Sequence, residues 1–179
     1  MNLPNKLTIL RITLVPVIVA LLLLANEKIW MHYLAGALFV FASLTDLMDG
    51  YLARKYNWIT NFGKFMDPLA DKLLVCAVLI CLIELGSVPA WAVILIVARE
   101  FAISGCRLIA AEKGVVLAAS PLAKKKTNLQ MLWTIYLLFP FAWDKWQLVA
   151  DILMWISVIL TILSFAQYII NNKGVLKEQ

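Results

Sequence analysis

Six apolar runs, each near the length of a membrane-spanning helix, leave this chain few folds to adopt. They cover about residues 12–25, 30–52, 65–85, 89–111, 127–142 and 146–170. A helix needs roughly 20 apolar residues to cross the hydrocarbon core, and inside lipid its backbone groups are satisfied within the segment. A transmembrane barrel would instead show short segments alternating in polarity, whereas these runs are unbroken. Composition agrees: 63% of the 179 residues are hydrophobic and 15% charged, against about 45–50% and 25% in a soluble domain. The expected fold is therefore all-α and integral to the membrane, with about six transmembrane helices. Residues 1–179 are expected to form a single domain, since no internal repeat, low-complexity tract or soluble segment interrupts them.

The polar connections orient the bundle. Residues 2–11, with Pro4, Asn5, Lys6, Thr8 and Arg11, predict a short N-terminal interfacial segment, and Pro16 predicts a kink in the run that follows. No small-residue cleavage site follows that run, so it is expected to stay as a membrane helix and not to be removed as a signal peptide. With the N-terminus in the cytoplasm, the connections at 54–64 and 112–126 and the C-terminal tail lie on the same side. They carry Arg54, Lys55, Lys64, Lys113, the triplet Lys124, Lys125 and Lys126, then Lys173 and Lys177; the opposite side holds Lys28 and Lys145. This asymmetry follows the positive-inside rule, and Trp30, Trp91, Trp143 and Trp146 fall at the outer ends as an aromatic belt. Both termini are thus expected in the cytoplasm. The same rule, together with anionic lipid, accounts for the net charge of +5, and no basic arm with interleaved aromatics argues for nucleic acid. Cys76, Cys81 and Cys106 are an odd set without metal spacing, expected as buried thiols, and His32 is expected as an interfacial residue.

Against this background the stretch Asp46–Asp71, DLMDGYLARKYNWITNFGKFMDPLAD, stands out. It holds four of the eleven acidic residues: Asp46, Asp49, Asp67 and Asp71. Carboxylates near lipid are costly and mark functional sites. Asp46 and Asp49 are spaced i, i+3, and Asp67 and Asp71 are spaced i, i+4, so each pair shares a helix face. Two antiparallel neighbouring helices would point both pairs into one site, suited to a hard cation such as Mg²⁺ or Mn²⁺. Gly50 and Ala53 leave room for a substrate beside the carboxylates, and Arg54 offers a fork matched to phosphate. Pro68 fits either a helix start with Asp67 as its N-cap or a kink at the metal site. Salt bridges from Arg54, Lys64 and Lys72 would explain any one aspartate, but not glycines, small residues and carboxylates recurring at helical spacing.

Asp46-x-x-Asp49-Gly50-x-x-Ala53-Arg54, then eight residues, then Gly63-x-x-x-Asp67-x-x-x-Asp71, resembles the signature of the CDP-alcohol phosphotransferases at every fixed position. The likeness extends along the chain. Asn5-x-Leu7-Thr8-x-x-Arg11, Pro16, Arg99-Glu100, Ser104, Arg107 and Ser120…Lys124-x-Lys126-Thr127-x-x-Gln130 are similar to the bacterial phosphatidylglycerophosphate synthases of that family. Ala123 departs, standing where those synthases commonly carry glycine.

The resemblance implies a six-helix membrane fold in the bacterial cytoplasmic membrane and a homodimer. It implies displacement of CMP from CDP-diacylglycerol by the hydroxyl of sn-glycerol 3-phosphate, with two divalent ions, Mg²⁺ or Mn²⁺, on Asp46, Asp49, Asp67 and Asp71. Asp71 would be the general base. Gly50, Arg54 and Thr60 match positions that contact the CDP part, with Asn5 and Thr8 assisting. Acceptor phosphate needs cations, for which Arg99, Arg107, Lys124 and Lys126 are the candidates; Lys124 and Lys126 serve equally as membrane-orienting charge. Arg99 is expected not to pair with Glu100, because adjacent helical residues do not face each other. The absence of a Ser/His or Cys/His pair favours direct displacement. Competing expectations are another acceptor (serine or inositol phosphate), a cation transporter using the aspartates, and a non-catalytic scaffold.

Overall fold

The computed structural model describes residues 3–25, 28–55, 61–112, 120–140 and 145–172; for residues 3, 4, 47, 49–54, 61–65 and 112 it describes the backbone alone. The described residues form six helices and no strand: α1 (Leu3–Leu23), α2 (Ile29–Lys55), α3 (Asn61–Glu84), α4 (Ala90–Glu112), α5 (Pro121–Leu138) and α6 (Trp146–Asn171). Three segments are long and apolar enough to cross a membrane by length and composition: Asn5–Leu23, Ile29–Asp46 and Trp146–Asn171. The other helices are more heavily charged: Asp67, Asp71 and Lys72 in α3, Arg99, Glu100 and Arg107 in α4, and the lysine triplet in α5. Large apolar side chains such as Phe41, Ile94, Phe101, Ile159 and Ile162 are more than half exposed. Water would penalise such a surface; lipid does not.

The helices divide into two compact units. One comprises Met1–Val88 with Thr134–Pro140, the other Pro89–Trp133 with Phe141–Gln179. In the first unit α1 packs closely against both α2 and α3, while α2 and α3 touch each other only thinly. The buried face of α1 runs Asn5, Thr8, Arg11, Val15, Ile18 and Leu22, in steps of three and four residues. On α2 the matching face is Ala35, Phe39, Ala42 and then Asp46; on α3 it is Asp67, Ala70, Asp71, Leu74, Val78 and Leu82. Each stripe is apolar over most of its length and polar at one end. The segment expected at the interface is therefore the opening of α1 itself, and the helix continues through Pro16.

Local chemistry sets the boundaries. α3 begins at Asn61, so Pro68 lies inside the helix and Asp67 is not its N-cap. Lacking an N–H, Pro68 cannot donate to the carbonyl of residue 64, which resolves the choice in favour of a perturbed helix beside the carboxylates. At its far end Gly86 takes φ 68°, a conformation that costs glycine nothing. Gly86 N–H donates to the Ile83 carbonyl and Ser87 N–H to the Leu82 carbonyl, each at 2.9 Å, closing a Schellman motif. α5 starts earlier than its apolar run: Ser120 Oγ accepts from Ala123 N–H at 3.2 Å, with Pro121 in the first helical position. The lysine triplet is thus helical and not part of a loop.

At the other end of α5, Tyr33 OH donates to the Pro140 carbonyl at 3.1 Å and the Tyr33 and Phe139 rings stack at 6.1 Å. Gly36 lets this contact close: a Cβ there would lie 2.8 Å from Phe139 Cζ and 3.3 Å from Leu138 Cβ. Gly36→Ala is expected to destabilise the fold by about 1–3 kcal/mol through overpacking, measured as a lower melting temperature in detergent.

In the second unit α4 packs on α6. Trp91 and Trp155 meet at 5.3 Å, and Trp133 Nε1 donates to the Ala150 carbonyl at 3.1 Å. Cys76, Cys81 and Cys106 are free thiols, the first two buried.

Candidate active site

The polar ends of the three stripes in the first unit come together around α1. Arg11 is completely buried, and its Nη1 lies 2.6 Å from Asp46 Oδ1 on α2. One turn earlier Thr8, also completely buried, donates its hydroxyl to Asp67 Oδ1 on α3 at 2.5 Å. Thr8 and Arg11 are spaced i, i+3 and share a face, so a single helix grips one carboxylate on each neighbour. α2 and α3 touch each other, and α1 packs against both and contacts one aspartate on each. Asp46 and Asp67 are near enough to repel. Asp71, half-buried, follows Asp67 by one turn on the same face of α3. Asn5 precedes Thr8 by one turn and is nearly buried. The side chains of Asp49, Gly50 and Arg54, on the last turns of α2, and Thr60 lie outside the described residues.

This donor set suits a hard divalent cation. Its groups are carboxylates, with no thiolate or imidazole at this level, and Mg²⁺ and Mn²⁺ favour oxygen ligands. With Arg11, the carboxylates of Asp46, Asp67 and Asp71 have a formal charge of −2, which a divalent ion would balance. Among the described residues no three such groups already form a closed ligand set.

A second polar cluster is buried in the other unit. Glu100 Oε1 lies 2.8 Å from Arg99 Nη1 and 2.5 Å from Lys126 Nζ. Arg99 Nη2 donates to Ser164 Oγ on α6 at 3.1 Å. Ser164 in turn donates to the Thr161 carbonyl, and Ser104 Oγ donates to the Glu100 carbonyl at 2.6 Å. Arg99 and Glu100 thus do pair, against expectation. Their Cβ atoms diverge, but both side chains are long, and Ser164 and Lys126 draw their tips to one level. Lys126 is 1% exposed, so it is not a solvated orienting charge. Lys124 is exposed, and Arg107, two turns beyond Arg99, lies beside Tyr168 of α6. The cluster of Arg99, Lys126 and Glu100 has a formal charge of +1. Isolated buried charges would cost several kcal/mol each, and the shared Glu100 carboxylate offsets part of that cost for both cations.

Sequence reasoning placed Arg11 in an interfacial segment without naming its partner and gave Glu100 and Ser164 no role. For Arg11 a signal existed: Asn5, Thr8 and Arg11, at three-residue spacing, form a polar stripe at the start of a mostly apolar helix. Nothing in the local sequence ties Ser164 to Arg99.

Residues 1–163 match the family model described as CDP-alcohol phosphatidyltransferase. A Bacillus subtilis protein named CDP-diacylglycerol–glycerol-3-phosphate 3-phosphatidyltransferase is 46% identical, the alignment covering 98% of this chain and 97% of that protein. Proteins of the same name from Rickettsia typhi, 44% identical over 93% of this chain and 94% of theirs, and Haemophilus influenzae, 38% identical over 97% and 94%, are similar along their lengths. The family is one of membrane proteins that generally use divalent metal ions. With its carboxylate stripes, its all-helical fold and likeness along nearly its whole length, the chain belongs to the CDP-alcohol phosphatidyltransferase family.

Proposed function

We propose that the chain transfers the phosphatidyl group of CDP-diacylglycerol to sn-glycerol 3-phosphate, giving phosphatidylglycerophosphate and CMP. The observation that carries this is the likeness to the Bacillus subtilis protein of that name over almost the entire chain. Asp46, Asp49, Asp67 and Asp71 would hold Mg²⁺ or Mn²⁺, two ions, and bound metal supplies charge neutralisation on the pyrophosphate and the departing CMP.

The chain's own residues do the rest. Thr8 fixes the Asp67 carboxylate and Arg11 fixes that of Asp46, so neither rotates away from the donor. Asn5, Gly50, Arg54 and Thr60 receive the CDP part, with Thr8 contributing through Asp67. Asp71 takes the proton of the acceptor hydroxyl as its oxygen attacks the diacylglycerol-linked phosphorus. The new P–O bond forms while the bond to the CMP phosphate breaks, and CMP leaves with that electron pair. Arg99, Lys126 and Arg107 receive the acceptor phosphate, Lys124 drawing it from solvent. Residues 1–179 act as one domain with six spans in a bacterial cytoplasmic membrane. Both termini and the carboxylates lie at the cytoplasmic face, and two copies form a homodimer.

Purified protein given labelled CDP-diacylglycerol is expected to release CMP with sn-glycerol 3-phosphate and not with serine or inositol phosphate. Turnover with one of the latter instead would reassign the acceptor; no CMP with any of them would overturn the reaction. Arg99→Ala is expected to raise KM for glycerol 3-phosphate about tenfold or more, the loss of a charged hydrogen bond. KM for CDP-diacylglycerol should stay within about twofold; steady-state kinetics with each substrate varied separately checks this.

A further inference from the structure

We propose that Glu100 is a positioning residue for acceptor binding: one carboxylate oxygen holds Arg99 and Lys126 together as a paired phosphate-binding unit. This rests on the acceptor reading above and adds to it a residue of the wrong sign for binding phosphate itself. Three observations support it. Glu100 Oε1 is shared between Arg99 Nη1 and Lys126 Nζ, from two different helices. Arg99 is 92% buried, with one arm on Glu100 and the other on Ser164. Its Nε is buried and has no hydrogen-bond partner among the described residues, leaving a donor to spend on a ligand.

The charge arithmetic gives Glu100 its purpose. Two cations side by side in a buried site would repel each other, and a carboxylate oxygen between them offsets that repulsion. Glu100 Oε1 holds both at one point, and the three groups sum to a formal +1. A phosphate monoester carries about −1.5 to −2 near neutral pH, so it is attracted to this unit and completes its balance with Arg107. A zwitterionic acceptor without phosphate gains no such balance. Glu100 would thus favour phosphorylated alcohols while touching none of their atoms.

The test varies Glu100 and reads the two substrates separately. Glu100→Gln is expected to raise KM for glycerol 3-phosphate about tenfold, with KM for CDP-diacylglycerol within about twofold. The inhibition constant of inorganic phosphate, competing with the acceptor, should rise by a similar factor. Glu100→Asp keeps the charge but is one methylene too short to reach both cations. It is expected to fold and to raise the acceptor KM about threefold. Should Glu100→Gln fail to fold, Glu100→Gln with Lys126→Met is compared with Lys126→Met alone, and its acceptor KM is expected to be higher still. An acceptor KM in that folded double variant no higher than that of Lys126→Met alone, or a normal one in Glu100→Asp, would reduce Glu100 to a structural brace and overturn the proposal. If Arg99→Ala raises the acceptor KM while the Glu100 variants do not, the acceptor site stands and the role of Glu100 falls. If none of the variants moves it, the acceptor assignment itself is wrong.

Discussion

Asp71→Asn is expected to lower turnover by about 10³-fold, within the range for loss of a general base. Asparagine keeps the shape of the side chain and can still ligate through its carbonyl, but it cannot take a proton. The position makes the loss specific. Asp71 lies one turn past Asp67 on the inward stripe of α3, where Thr8 holds the Asp67 carboxylate. The variant should therefore keep its fold and much of its CDP-lipid binding. CMP release at raised Mg²⁺, so that weaker metal binding does not limit the rate, gives the turnover; direct binding of CDP-diacylglycerol gives the rest. Retained turnover would reject the base assignment. Lost binding with lost turnover would leave Asp71 as a ligand alone.

Arg11→Met should have the largest effect on stability. Arg11 is completely buried and its partner Asp46 is 27% exposed at the side chain. Methionine fills much of the same volume but leaves Asp46 without its guanidinium. Breaking such a pair from one side costs about 3–5 kcal/mol. At roughly 2–4 °C per kcal/mol for a chain of this size, the melting temperature should fall by about 6–20 °C. Mg²⁺ should restore more stability to the variant than to the parent, because a cation beside Asp46 does what the guanidinium did. Adding Asp46→Asn to Arg11→Met should recover much of the loss without metal. Thermal melting in detergent, with and without Mg²⁺, checks all three results; a variant as stable as its parent would mean that Asp46 needs no counter-charge.

The helices were readable because length and hydropathy alone decide where a chain can cross lipid. The boundaries were less so. Asn61, Gly63 and Lys64 read as loop because they are polar, yet α3 starts at Asn61. Lys124, Lys125 and Lys126 read as a connection for the same reason, although the Ser120 cap and Pro121 were visible signals that a helix begins before them. The spacing put Asp67 and Asp71 on one face of α3, and both lie on its inward stripe. How Asp46 and Asp67 are held was not legible: α1 packs against both α2 and α3, and no local pattern reveals that Thr8 reaches Asp67, fifty-nine positions away. The Arg99–Glu100 contact failed for another reason. The rule that neighbours diverge concerns Cβ directions, and it gives way when each long side chain has a third group to reach. The buried stripe of α1 is hard to see as a pattern because lipid-facing residues are as apolar as core ones, so polarity marks the inside.

The buried arginine of α1 bears on how the chain enters the membrane. A cation near the middle of a lone helix raises its insertion free energy by about 2.5–3.5 kcal/mol, less toward the ends. During synthesis α1 emerges before Asp46 exists, and its guanidinium must stay hydrated near the lipid surface. The end of α2 then brings the carboxylate that pairs with Arg11, and α3 the one that Thr8 holds. A chain cut after α1 is therefore expected to be more readily extracted from membranes than one cut after α3.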